Sequence, residues 1–189
     1  MATGSVSPRR ADTRRNHERI LAVAAESLTC SDEVSFNAIA KKAGVGVGTV
    51  YRHFPTPESL ILAVYEREVR HLVEVVEDLL RRYPPDRAFR VWVVDHLAHY
   101  MMSKRGLADA LRRATSARGE LPAHAYESLV AAVATLLRAN IDAGTVRADL
   151  RPEALVRGLG GLWYLQPEEN WKAQTEELLD LLWRGMRTE

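Results

Sequence analysis

Apolar positions recur at helical spacing along almost the whole chain. Between Asp12 and Thr29, Ile20, Val23, Ala24 and Leu28 share one side of a helix, and Asp12 stands where an N-cap is expected. Behind Ser35, a second N-cap, Phe36, Ile39, Ala40 and Ala43 form an i, i+3, i+4, i+7 stripe. Gly44 follows, where a chain leaving a helix usually needs positive φ. A second short helix opens near Val47 and carries Val50 and Phe54 inward until Pro55 stops it. Thr56 and Pro57 start a long helix whose stripe of Leu60, Val64, Val69, Leu72, Val76 and Leu79 reaches about Arg82. Ser59, three residues after Thr56, is neither Glu nor Gln, so no full capping box is expected.

Tyr83-Pro84-Pro85-Asp86 breaks the chain. The next helix runs to about Lys104, with Phe89, Trp92, Val93, His96, Leu97, Tyr100 and Met101 on one broad face and Gly106 closing it. Leu107–Ala114, Pro122–Gly144, Pro152–Leu165 and Pro167 to about Arg187 read as four further helices, with a loop over 115–120. No segment reads as a strand or repeats internally. The predicted class is all-α, with about nine helices.

Two short helices joined by a three- to four-residue turn at a glycine make the helix-turn-helix pattern, here Ser35 to Phe54. That unit places the start of its second helix in the DNA major groove. The residues on its outward side suit the task. Thr49 offers a methyl or hydroxyl, Arg52 suits guanine or phosphate, and Tyr51 and His53 can donate to phosphate oxygens. Gly46 and Gly48 leave backbone amides uncovered, and Ser35, Lys42 and Val47 complete the predicted contact set. GVGVG alone resembles a dinucleotide loop, but the strand that such a loop needs is missing before it.

The run IAKKAGVGVGTVYRHFPTPESL resembles the signature of the tetracycline-repressor (TetR) family of one-component regulators. The resemblance is specific from about Ile20 to Tyr65 and architectural beyond it. Pro57 departs from it, standing where the family often carries Lys or Arg. The resemblance implies a three-helix DNA-binding domain, a helical body with an effector pocket, and dimerisation through the last two helices as a four-helix bundle.

Composition agrees with a regulator. At 47% hydrophobic and 27% charged residues, the chain reads as an ordinary globular protein. Its net charge of +1 excludes a generic polyanion binder. The positive charge is concentrated: residues 1–56 hold eight Lys/Arg against five Asp/Glu, and the remainder is slightly acidic. One cysteine, Cys30, allows no internal disulfide and no cysteine metal cluster, and its place at a helix end suggests a packed residue. No apolar run is long enough for a membrane span and no secretory signal is visible, so the expected compartment is the cytoplasm, with no membrane partner. No cofactor is expected.

The expected division is a disordered basic tail over 1–11, a helix-turn-helix domain over 12–56, and a ligand-binding and dimerisation domain over 57–189. Arg9, Arg10, Arg14 and Arg15 are either a solvated tail or phosphate contacts. Trp92, His96 and Tyr100, four apart, form the expected ligand wall, with Met101 as an adaptable filler and Tyr126 opposite as a further contact. Leu155, Gly158, Gly161, Leu162, Leu178, Leu182 and Trp183 are the expected dimer contacts, the glycines admitting a partner backbone. The expected function is a homodimeric regulator on an inverted repeat of double-stranded DNA, more a repressor than an activator. A small apolar effector, of unknown identity, would release it by favouring one of two states, with the long helix from Thr56 to Arg82 as the mechanical link. The alternatives are a regulator without an effector, and a helical enzyme using His96, His99 and Tyr100 beside a vestigial DNA module, for which no nucleophile–base motif is present.

Overall fold

The computed structural model describes residues 8–31, 33–116, 123–165 and 170–188. Among them the chain forms nine helical elements. These are α1 (Pro8–Cys30), α2 (Phe36–Ala43), α3 (Val47–His53), α4 (Pro57–Arg82), α5, α6 (Arg105–Ser116), α7 (Ala123–Asp142), α8 and α9 (Trp171–Met186). α5 is composite: Pro85–Val91 is α-helical, Trp92–Ala98 is a π-helix, and His99–Ser103 returns to α. α8 runs as an α-helix over Pro152–Leu159 and tightens to a 3₁₀ turn over Gly160–Tyr164.

Several ends differ from expectation. α1 begins at Pro8, so Asp12 lies inside it rather than capping it, and residues 8–11 are helical, not part of a tail. Residues 1–7, the Cys30 side chain, the loop over 117–122 and the expected start of the last helix at Pro167 lie outside the described residues. α4 does carry a reciprocal cap. The Thr56 amide donates to Ser59 Oγ at 3.2 Å and the Ser59 amide to Thr56 Oγ1 at 3.2 Å. A serine hydroxyl thus does what Glu or Gln does in a capping box, because only an acceptor at that spacing is required.

Contacts divide the chain into two compact units, and the division differs from the expected one. The first comprises Met1–Arg67 with Lys104–Gly119; the second comprises Glu68–Ser103 with Glu120–Glu189. The first unit therefore takes the opening turns of α4 and all of α6. Gly106 shows why α6 belongs there. It sits inside α6 instead of closing α5, and a Cβ on it would lie 2.4 Å from the Ser31 carbonyl oxygen and 2.5 Å from that of Leu28. Only glycine lets α6 approach the end of α1 so closely. Lys104 Nζ also donates to the Ala25 carbonyl at 3.4 Å. Ile20, Leu21, Ala24, Leu28, Ile39, Val50, Leu60 and Leu107 fill this unit's core.

The second unit has its own core, built on Phe89, Trp92, Val93, Leu97, Val133, Leu136, Leu162 and Leu179. Full burial of each such side chain is worth about 1.5–3 kcal/mol. The buried polar Asn140 is satisfied: its amide donates to the carbonyls of Pro85 (3.0 Å) and Leu136 (2.8 Å), and its Oδ1 accepts from Thr145 Oγ1 (2.8 Å). This ties the start of α5 to the end of α7, where Gly144 takes the left-handed conformation (φ 69°).

Candidate nucleic-acid interface

Ser35 and Gly44 delimit α2. Ser35 Oγ accepts from the Ala38 amide at 3.4 Å, so it acts as the cap that the sequence suggests. Gly44 has φ 64°, its amide donates to Lys41 O (3.3 Å), and the Val45 amide donates to Ala40 O (3.0 Å). This is the Schellman ending, which needs a residue without a Cβ penalty at positive φ. Two residues later Gly46 caps α3, its carbonyl accepting from Thr49 at 2.8 Å. The turn is thus set by two glycines, and α3 leaves it with Val50 and Phe54 buried.

That burial turns the remaining side of α3 outward. Lys42, Gly46, Val47, Gly48, Tyr51 and Arg52 are exposed, while Thr49 and His53 are half-buried at its edges. Tyr51 is 55% exposed although its ring packs edge-on against Phe36 at 4.8 Å. The contact orients the ring while more than half of the residue stays exposed. Arg52 Nε donates to Gly48 O at 3.0 Å and Nη2 to Thr49 Oγ1 at 3.3 Å. Such exposed bonds cost little to exchange for a base or phosphate. The nine residues expected at DNA therefore lie on α2, α3 and the turn between them, in one unit.

His53 has a partner that the sequence reading did not include. Its ring lies 5.4 Å from His17 of α1, and His17 stacks on Phe54 at 4.9 Å. Burial, then His17, then Arg52 hold the His53 imidazole below the ordinary histidine range. A neutral imidazole keeps one N–H donor for a phosphate oxygen. A signal for His17 was present, since it precedes Ile20 and Leu21 by one turn on the same stripe.

The family comparisons cover both units. A family model described as bacterial regulatory proteins, tetR family, matches residues 20–64. A second, described as the C-terminal domain of SbtR-like transcriptional regulators, matches residues 84–188, more than half of the chain. The chain belongs to the TetR family of DNA-binding transcriptional regulators. A TetR transcriptional regulator from Streptomyces coelicolor is 35% identical, with 90% of this chain and 98% of that chain covered and a TM-score of 0.72. A TetR transcription regulatory protein from Mycobacterium vanbaalenii is 33% identical, with 96% and 100% covered and a TM-score of 0.69. An HTH-type transcriptional regulator from Staphylococcus aureus is 35% identical over 75 residues, which are 38% of this chain and 39% of that protein. The chain thus spans about two fifths of the length of that curated relative. TetR regulators are not enzymes, so membership sets aside the enzyme alternative built on His96, His99 and Tyr100. Among the described residues no group of three or more His, Cys, Asp or Glu is placed to hold a metal, and no helix is long and apolar enough to cross a membrane.

In the TetR C-terminal region the residues expected at the ligand wall and at dimer contacts differ in burial. Trp92 is fully buried and its Nε1–H donates to the Leu72 carbonyl at 2.8 Å, so its polar handle is consumed by the core. The π-helical segment also breaks the straight i, i+4, i+8 stack with His96 and Tyr100, because i→i+5 bonding widens the turn. His96 and Tyr100 are half-buried, Met101 is buried, and Tyr126 on α7 is exposed. Burial first, and His99 beyond it, keep the His96 imidazole below its ordinary range despite the opposing charge of Asp95.

Two of the expected dimer residues, Leu155 and Leu162, are buried within the single chain, Leu162 completely. Gly158 and Gly161 face the chain's own α9, where their added Cβ atoms would meet Leu182 and Leu178 at 3.3 Å. Those two leucines and Trp183, which packs on Phe89 at 5.6 Å, are partly buried against the core. The glycines therefore serve close packing of α8 on α9. Among the described residues of α8 and α9, the large apolar side chains left outside are Trp163, Tyr164 (86% exposed) and Leu181 (69% exposed).

Proposed function

We propose that this TetR regulator is a homodimer that binds an inverted repeat and represses transcription until a small, mainly apolar effector releases it. The observation that carries the DNA part is the outward face of α3. Thr49, Tyr51 and Arg52 stand there opposite the buried Val50 and Phe54. Val47, Gly48 and the start of α3 enter the major groove, and Ser35, Lys42 and His53 sit at the flanking backbone. Two copies give a twofold pair of such faces, and the exposed Trp163, Tyr164 and Leu181 on α8 and α9 supply apolar surface for the pairing. The protein would act in the cytoplasm, where its operator lies.

The effector part rests on the second unit. His96, Tyr100 and Met101 follow or belong to a π-helical stretch, a geometry common at functional positions, and methionine adapts to varied shapes. An effector that binds the released state tenfold better shifts the balance by about 1.4 kcal/mol per site. The domain reading that goes with this places ligand binding and dimerisation in the second unit and DNA contact in the first.

Selection of duplexes from a random pool by the full-length protein tests the proposal. Recovered sequences should carry two half-sites related by twofold symmetry. Recovery of unrelated sequences, or of single asymmetric sites, removes it.

A further inference from the structure

The stripe that α1 buries changes character along its length. From Leu28 back to Ile20 it is apolar and buried. At His17 it meets the end of α3, the imidazole stacking on Phe54 and facing His53. One turn further out on the same side stands Arg14, which is exposed. The helix continues past it to Pro8, so Arg14 is carried on a formed helix and not on a tail.

From this placement we infer that α1 is a second DNA-contact element, with Arg14 binding a backbone phosphate just beyond the α3 contact. The inference rests on the DNA-binding reading above. Three observations support it. Among the described side chains of α1, Arg15 is engaged with Asp12 and Arg19 with Asn16, whereas the structure gives Arg14 no such bond. The shallow concavity at this place is lined by Asp12, Arg14, Arg15, Asn16, Glu18 and Arg19, three guanidinium groups against two carboxylates, and Asp12 is spent on Arg15. Burial first, then His17 of α1 and Arg52 of α3, hold the His53 imidazole below its ordinary range, and the Arg52 guanidinium supplies a permanent positive charge beside the junction of the two helices. A phosphate there meets complementary charge continuous with the recognition face. The contact is to phosphate and not to a base, because α3 occupies the groove in this reading, and Arg14 stands on another helix, one turn beyond the His17 that meets the end of α3.

The experiment measures DNA affinity against salt for the parent, Arg14→Ala, Arg52→Ala and Arg138→Ala. Arg138 is an exposed arginine on α7 and serves as the charge control. The probes are a labelled duplex selected by the parent and a random duplex of equal length. A phosphate contact contributes about 0.9 to the slope of log K on log salt, so Arg14→Ala should lower it by about one unit per subunit. The loss should appear on both duplexes, and shortening the flanks of the selected duplex should remove the difference between parent and variant. An unchanged slope for Arg14→Ala beside a weakened Arg52→Ala overturns the α1 contact and leaves the DNA reading standing. A loss confined to the selected sequence overturns it too, because it would mark a base contact. An equal loss for Arg138→Ala would reduce the effect to net charge and overturn it as well. If the parent selects no sequence and binds neither duplex, both readings fall.

Discussion

The two compact units treat their polar atoms in opposite ways. In the first, the polar side chains of α3 stay near the surface: Tyr51 is more than half exposed, and the Arg52 guanidinium rests on Gly48 and Thr49 of its own helix. In the second, three buried side chains have their polar atoms bonded within the core. Trp92 donates to Leu72, Asn140 bridges Pro85 and Leu136, and Thr175 Oγ1 donates to the Trp171 carbonyl at 2.7 Å. On the function proposed above, the difference follows from the partner. A duplex is read by donors held ready on a stiff surface, so the unit must be complete without them. A small molecule is sensed by a core that can be repacked, so its polar groups are first satisfied within the core.

The largest expected effect tests the inward half of this contrast. Trp92→Ala removes a fully buried indole and leaves Leu72 O without its donor, and should cost about 3–5 kcal/mol in a urea melt. Parental stability would mean that Trp92 is ligand surface after all. Next comes the outward half. Arg52→Ala should leave the melt unchanged within about 0.5 kcal/mol and weaken DNA binding by about 1–3 kcal/mol at matched salt. A variant that loses stability instead would make Arg52 part of the unit's packing and erase the contrast.

A smaller effect is expected where α4 begins. Ser59→Ala removes the acceptor for the Thr56 amide and should cost about 1 kcal/mol of stability. No loss would mean that water caps this end equally well. The last effect is a pH dependence. His96 and His53 both have folded pKa values below the ordinary 6.5, so the unfolded chain binds more protons as pH falls. Their contribution to stability is full above about pH 6.5 and lost as pH falls through the folded values. His96→Gln should flatten the acid limb of the stability–pH curve, measured by urea melts between neutral pH and pH 5. An unchanged limb would mean that His96 titrates as it does in the unfolded chain.

The helix-turn-helix is legible in the residues alone, because every signal for it is local. The Phe36–Ala43 stripe, the Ser35 cap, Gly44 at positive φ and the stop at Pro55 each act within a few residues, and the structure places all of them as read. The all-α class and most helix ends followed from the same periodicity and capping. Which face meets which is a matter of three-dimensional packing. α6 joins the first unit because Gly106 lets it lie against the carbonyls of Leu28 and Ser31, some 75 residues away in sequence. Gly158 and Gly161 look like openings for a partner until α9 is seen to fill them with its own leucines. His17 gains its meaning from Phe54 and His53, and the Trp92–Ala98 segment opens into a π-helix that no spacing rule announces. Helical period and caps are properties of neighbouring residues, whereas the choice of packing partner depends on the shapes of distant surfaces, which one-dimensional spacing does not encode.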